Sequence, residues 1–274
     1  MIEEGWSMEL LCPVCGQPLT KDSNCWRCEN RHSFDIARQG YVNLLTVDRK
    51  HAKHPGDTKE MVAARKAFLD GGFYRPIAET VTALTAPLAP RTVLDAGCGE
   101  GYYLTQLQKA LPETEFAGLD ISKDAVRFAA VRNKHALWLT GTAAALPFPD
   151  GSFDGVLSMF ALTVESEFAR VLTDRGWYLQ VIAGPDHLMA LKQIIYPEIL
   201  RKDKVLHADL KGFRLERSET LEFSFTIDSN DQVRNLLSMT PHFWRISKDG
   251  AARLAETNCL TDTAQVIFNL YRKE

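Results

Sequence analysis

From residue 60 onward the apolar positions switch repeatedly between two periods. "MVAARKAFLDGG" repeats its apolar residues at helical spacing and ends on glycines, so a helix is expected there. "TVLDA" is a short apolar run leading into a glycine loop, which reads as a buried strand. The alternation continues with "YYLTQLQKAL" as helix, "EFAGLDI" as strand, "KDAVRFAAVR" as helix and "ALWLTG" as strand. "FDGVLSMF" then reads as a fourth strand, "ESEFARVL" as a helix and "WYLQVIA" as a fifth strand. Strands alternating with helices of this length imply right-handed crossovers and a parallel sheet. The tail breaks the rhythm: "FRLERSETLEFSFTI" and "AQVIFNLYRK" flank a helical "DQVRNLLSMT", which predicts an antiparallel strand or pair at one sheet edge.

Upstream of this α/β region, expected to span 60–274, the pattern is different. Residues 1–45 form a cysteine-rich module, and "TVDRKHAKHPGDTKE", punctuated by Pro55-Gly56, reads as a linker over 46–59. Inside the linker Arg49, Lys50 and Lys53 stand beside His51 and His54, either as a solvated run or as a contact for RNA phosphates.

Composition narrows the class. The chain has 274 residues, 45% apolar and 24% charged, as expected of a globular enzyme with one sizeable domain and a small extra module. A net charge of -3 argues against non-specific coating of nucleic acid, which needs many cationic contacts. No stretch approaches the roughly 18–20 apolar residues of a membrane helix, so no membrane partner is expected. The start, "MIEEGWSMELL", does not read as a secretory signal, so the expected compartment is the cytoplasm.

"LCPVCGQPLTKDSNCWRCENRH" holds four cysteines and a histidine, while a structural zinc takes four ligands. Cys12 and Cys15 form a CxxC knuckle that two completions would close. Cys25 with Cys28 gives an all-cysteine site; Cys28 with His32 gives three cysteines and one histidine. Either is a closed tetrahedral set, suited to a module too small to fold on its own core.

"VLDAGCGEGYY" puts Asp95 at a strand end, followed by Gly97, Gly99, Glu100 and Gly101. The spacing D-x-G-x-G-x-G departs from the dinucleotide fingerprint by one residue. It resembles the first motif of class I S-adenosylmethionine-dependent methyltransferases, in which the loop cradles the amino-acid end and ribose of a cofactor without phosphates. Asp120, at the end of "EFAGLD", can accept from two ribose hydroxyls or cap the following helix, a role for which Ser122 competes. Within "LPFPDGSFDGVLS" and just before it, Thr142, Ala143 and Leu146 are expected to flank the adenine. Cys98 reads as a space-filling loop residue and Cys259 as a core residue.

Together the two modules resemble the bacterial 23S ribosomal RNA (guanine-N1)-methyltransferases. "CPVC", "CENRHSFDIARQGYVNLL", "GDTKEMVAARKAFLDGGFY", "LDAGCGEGYY", "LDISKDAV", "GPDHLMALK" and "LLSMTP" carry the likeness over nearly the whole chain. The resemblance implies a class I, Rossmann-like methyltransferase fold behind a zinc-binding module. It further implies zinc on Cys12, Cys15, Cys28 and His32, with Cys25 surplus, and cofactor contacts from Tyr74 and His187. It also implies methylation of a hairpin-loop guanine of 23S rRNA, and a homodimer. Two departures stand out: Phe160-Ala161-Leu162 has Leu where relatives show Pro, and "LTDRGWYL" replaces a usual Pro-Gly-Gly. The rivals are a methyltransferase for another RNA site or a small molecule, and an idle RNA-binding assembly factor. The intact Asp95, Gly97, Gly99 and Asp120 oppose the idle reading.

Overall fold

The computed structural model describes residues 7–46, 56–199 and 205–274. The basic run 49–54 lies outside them. The N-terminal lobe is a four-stranded antiparallel sheet of β1 (Leu10–Leu11), β2 (Pro18–Asp22), β3 (Cys25–Arg27) and β4 (Ser33–Asp35). β5 (Tyr41–Asn43) then leaves the lobe and joins the main sheet.

Two helices follow, α1 (Lys59–Asp70) and α2 (Arg75–Thr85). Thr58 starts α1 by accepting the Met61 amide at 3.3 Å, and Pro76 in the first turn of α2 costs no hydrogen bond. The alternating region runs β6 (Thr92–Ala96), α3 (Tyr102–Ala110), β7 (Glu115–Asp120), α4 (Lys123–Arg132), β8 (Leu137–Thr140) and β9 (Phe153–Met159). It continues through α5 (Glu165–Val171), β10 (Leu172–Ala183) and α6 (Met189–Ile195). The tail supplies β11 (Phe213–Ile227), α7 (Asn230–Ser238), α8 (Lys248–Glu256) and β12 (Leu260–Lys273).

The main sheet has the order β11-β12-β10-β9-β6-β7-β8-β5. The six strands from β10 to β5 are parallel, and β12 runs antiparallel to both β10 and β11. This is the expected α/β sheet with an antiparallel edge pair, and its order doubles back at β6, the strand that feeds the glycine loop. Where "LTDRGWYL" replaces Pro-Gly-Gly, β10 carries an irregularity between Leu172 and Trp177. Arg175 there takes φ 62°, a left-handed turn residue that is not glycine.

Strand side chains alternate between two cores. Val93 faces the one covered by α1 to α4 and α6 to α8; Leu94 faces the other. That second face is covered by α5 and by the N-terminal lobe, whose Met8, Leu10 and Leu19 pack with Leu94, Leu137 and Leu139. The lobe thus stands where a further helix would otherwise cover the sheet. Leu11 donates to the Pro147 carbonyl at 2.9 Å, closing the seam. Among the described residues no helix is long and apolar enough to cross a membrane.

Candidate active site and metal centre

The chain leaves β6 through Gly97, Gly99 and Gly101 at φ 89°, 55° and 78°. Two of these positions admit glycine for a second reason. A Cβ on Gly97 would lie 2.6 Å from Ala161 Cβ, and one on Gly101 would lie 2.7 Å from Trp138. The Gly97 and Cys98 amides donate to the Leu119 carbonyl at 2.8 and 3.1 Å, tying the loop to the end of β7. Cys98 is buried, and burial pushes its thiol well above the ordinary range, which suits a space-filling residue and not a nucleophile. Cys259 differs from its expected core position: it is exposed, because it precedes Leu260, where the alternation of β12 begins.

Asp120 organises the opposite wall. Its Oδ2 accepts the Gly99 amide at 2.9 Å and its Oδ1 accepts the Ser122 amide at 2.8 Å. Each oxygen keeps a second lone pair for a ligand hydroxyl. The helix-cap role falls to Ser122, whose Oγ accepts from Ala125 and donates to the Asp57 carbonyl at 2.9 Å. Asp57 in turn pairs with Arg65 at 2.5 Å, and Arg65 Nη1 lies 3.6 Å from where a Gly99 Cβ would be. Sequence reading missed this arm. Residues 56–58, read as the linker's end, pack on the loop after β7 instead, with Gly56 against Ile121 and Ser122.

Two further acids lie beneath the loop. Asp95 is 1% exposed, and its Oδ1 has no hydrogen-bond partner among the described residues. Burial, then Asp120 and Glu100, push its carboxyl up to about 8. Glu100 is buried too, but its side chain turns to α4. Arg132 Nη2 stands 3.5 Å from its Oε1, and the Arg132 Nε donates to the Glu100 carbonyl at 3.1 Å. Glu100 therefore braces the loop against α4 in this structure.

This acid group has a consequence for any cationic ligand. A sulfonium and an ammonium placed near Asp95 favour its carboxylate, so binding expels a proton while Asp95 is neutral. Affinity for S-adenosylmethionine is expected to strengthen as pH rises from 6 towards 8, where the ligand's own α-amine begins to lose its proton. Calorimetry at pH 7 in two buffers of different ionisation heat should show net proton release. A dissociation constant that stays level from pH 6 to 9 would remove Asp95 from the linkage.

Tyr74 and His187, far apart in sequence, meet: Tyr74 Oη lies 3.2 Å from His187 Nε2. His187 Nδ1 lies 3.0 Å from the Gln265 carbonyl, which can only accept. Neutral His187 therefore carries its proton on Nδ1, and the Tyr74 hydroxyl donates to Nε2. β12 fixes the turn holding His187, through Gly184 to the Gln265 carbonyl at 2.7 Å and Leu188 to Thr263 at 2.9 Å. Beside it Phe160 adopts φ 54°, a conformation costing a non-glycine residue about 1–3 kcal/mol. Its ring is 6.2 Å from His187 and 6.4 Å from Tyr103, and Leu162 next to it is 83% exposed. Leu146, by contrast, is buried with Leu119, Leu139 and Phe148, whereas Thr142 and Ala143 are half-buried.

In the N-terminal lobe the ligand atoms of Cys12, Cys15, Cys28 and His32 all lie within 4.8 Å of one another. Cys15 and Cys28 Sγ are 3.7 Å apart, and His32 Nδ1 lies 3.5 and 3.4 Å from Cys12 and Cys28. Ordinary zinc bond lengths give a tetrahedron edges of roughly 3.8 Å between sulfurs and roughly 3.6 Å between sulfur and nitrogen. The four residues fit that ion. Hydrogen bonds from the Gln17 amide and Asn30 lower the Cys15 thiol to about 6, favouring the ligating thiolate. Cys25 stands apart and donates to the Asp22 carbonyl at 3.3 Å.

Comparison with known proteins agrees with both halves. Residues 10–53 match the zinc-ribbon family described as "RlmA, N-terminal", and residues 93–176 match the methyltransferase domain family. The chain is 35% identical, over 96% of both sequences, to the 23S rRNA (guanine(748)-N(1))-methyltransferase of Streptomyces fradiae. A Micromonospora griseorubida protein provisionally named a 23S rRNA (guanine-N(1)-)-methyltransferase is 39% identical, over 96% of this chain and 97% of its own. YxjB of Bacillus subtilis, provisionally given the same name, is 31% identical over 93% and 94%.

Proposed function

The chain belongs to the 23S rRNA (guanine-N1)-methyltransferase family, and from that membership we propose that it methylates N1 of an unpaired hairpin-loop guanine in 23S rRNA, in the cytoplasm and as a homodimer. Its cofactors are S-adenosylmethionine and a structural zinc. The observation that carries the reading is the Asp95–Gly101 loop locked onto Asp120, joined in one chain to a closed zinc quartet.

S-adenosylmethionine supplies, when bound, a methyl group on a positively charged sulfur. The protein's task is to orient and desolvate. Asp120 would hold the ribose hydroxyls, and the glycine loop and Asp95 would receive the amino-acid end. N1 bonds to the methyl carbon as the C–S bond breaks with its electron pair left on sulfur, and N1 sheds its proton, which solvent can accept. The near-collinear geometry this needs makes positioning supply much of the rate. N1 lies on the pairing edge of guanine, and the base must leave its helix to react. Phe160, held at its positive φ between Tyr103 and His187, presents a half-exposed ring suited to stacking on that base. The Tyr74–His187 pair, pinned by the Gln265 carbonyl, would contact the cofactor beside that ring. Cys12, Cys15, Cys28 and His32 would hold the zinc.

Primer extension on 23S rRNA tests the substrate, because methylation at N1 halts reverse transcriptase. A stop present in wild-type rRNA should vanish on deletion of the gene and return on complementation. A stop that persists in the deletion strain refutes the assignment.

A further inference from the structure

We propose that Phe243 and Trp244, in the turn between α7 and α8, form a base-stacking platform for an RNA nucleotide beside the one being methylated. The proposal rests on the RNA reading above and adds a contact outside the cofactor site. β11 runs up the sheet antiparallel to β12, and β12 runs antiparallel to β10, so the α7–turn–α8 connection joins their ends at one edge. That edge is the one where β6, β9 and β10 end, and where the glycine loop, Phe160 and His187 lie. α6 spans seven residues, roughly 10 Å at helical rise, from the turn after His187 towards Tyr196. Tyr196 Oη is 2.8 Å from His242 Nδ1, which ties the turn carrying the platform to the far end of that helix.

The aromatic pair is presented, not frayed. Trp244 is 69% exposed and Phe243 37%, with ring centroids 5.0 Å apart at 81°. The turn beneath is braced by Pro241 at its start, by Thr240 Oγ1 donating to the Leu237 carbonyl at 2.8 Å, and by the Tyr196–His242 bond. Its charge suits a polyanion. Thr240 to Lys248 contains His242, Arg245 and Lys248 and no carboxylate, Asp249 being the first acid beyond. Lys192 on α6 and Arg245 both lie close enough to His242 to act on it electrostatically. Exposed aromatics interleaved with cations are how proteins hold unpaired bases, by stacking on the ring while cations take the phosphates.

The test uses the full-length protein and a synthetic 23S rRNA hairpin that the wild type methylates. Trp244→Ala should weaken hairpin binding roughly 5- to 150-fold, the range for loss of one stacked base, while Trp244→Phe retains most of it. S-adenosylmethionine affinity and melting temperature should match the wild type, and the loss should appear in KM for RNA more than in kcat. Hairpin binding by Trp244→Ala within twofold of wild type overturns the platform. So does a shift of Trp244→Ala from dimer to monomer on sedimentation, which would make the patch a contact between copies. A wild-type protein that neither binds nor methylates any 23S hairpin would instead defeat the RNA reading itself, and this proposal with it.

Discussion

Cys28→Ser is expected to strip the protein of zinc and unfold the N-terminal lobe, with the damage reaching into the methyltransferase domain. Cys28 is one of four ligand vertices, and two of the three tetrahedron edges that meet there measure 3.7 Å to Cys15 and 3.4 Å to His32. Structural zinc in small modules supplies about 10–16 kcal/mol, comparable to the whole stability of a domain, about 5–15 kcal/mol. A lobe whose strands run from two to five residues has no other source of that size. Its apolar residues are also shared property. If Met8, Leu10 and Leu19 leave the Leu94–Leu137–Leu139 face, the lost burial is worth about 5–9 kcal/mol, at about 1.5–3 kcal/mol each.

Zinc content near one per chain in the wild type and near zero in Cys28→Ser is the first readout. Tryptic cleavage within residues 7–46 and a melting temperature lower by ten degrees or more are the second. Cys25→Ser is the control, since that thiol makes only a 3.3 Å contact with a carbonyl and should leave zinc and melting unchanged. The ligand assignment would be falsified if Cys25→Ser lost the metal while Cys28→Ser kept it.

The contrast between these two cysteines shows what a sequence reading can reach. Spacing alone left Cys25 and His32 competing, because both completions are chemically sound; family resemblance chose between them, and the folded chain puts Cys25 outside the quartet. The parallel strands were legible for a plain reason: they are buried on both faces and read as apolar runs. The lobe's strands were not, because a metal and not an apolar face organises them, so no period of two develops. α2 escaped notice although its apolar face is well formed, since Pro76 interrupts the run where it begins. The cofactor loop announced itself through glycine, whose positive φ no other residue supplies so readily. Arg65 and Gln265 were invisible for the opposite reason. Arg65 looks like any helical surface cation until Asp57 folds back on it, and Gln265 holds His187 through a backbone carbonyl. Glu100 shared the loop's signal, and in the folded chain its carboxylate faces Arg132, a partner that spacing could not supply.

Asp120→Ala is expected to cost the largest share of cofactor affinity available to a single side chain. Two losses combine. The carboxylate can accept two ribose hydroxyls, and hydrogen bonds to a charged group contribute about 1.5–3 kcal/mol each. It also fixes the Gly99 and Ser122 amides at 2.9 and 2.8 Å, so its removal frees the loop that the ligand must find already shaped. Together these predict S-adenosylmethionine binding weaker by about a hundredfold or more. Asp120→Asn keeps one accepting oxygen and should fall between, weaker by about tenfold. Folding should change little by comparison, because burial already works against this carboxyl in the free protein and pushes it above its ordinary range. Each kcal/mol lost moves the melting point of a domain this size by about 2–4 °C. Calorimetry with S-adenosylmethionine and thermal melting of the same samples separate the two effects. Asp120→Ala binding the cofactor within threefold of wild type would show that the ribose is held elsewhere, and that this carboxylate serves only to close the loop.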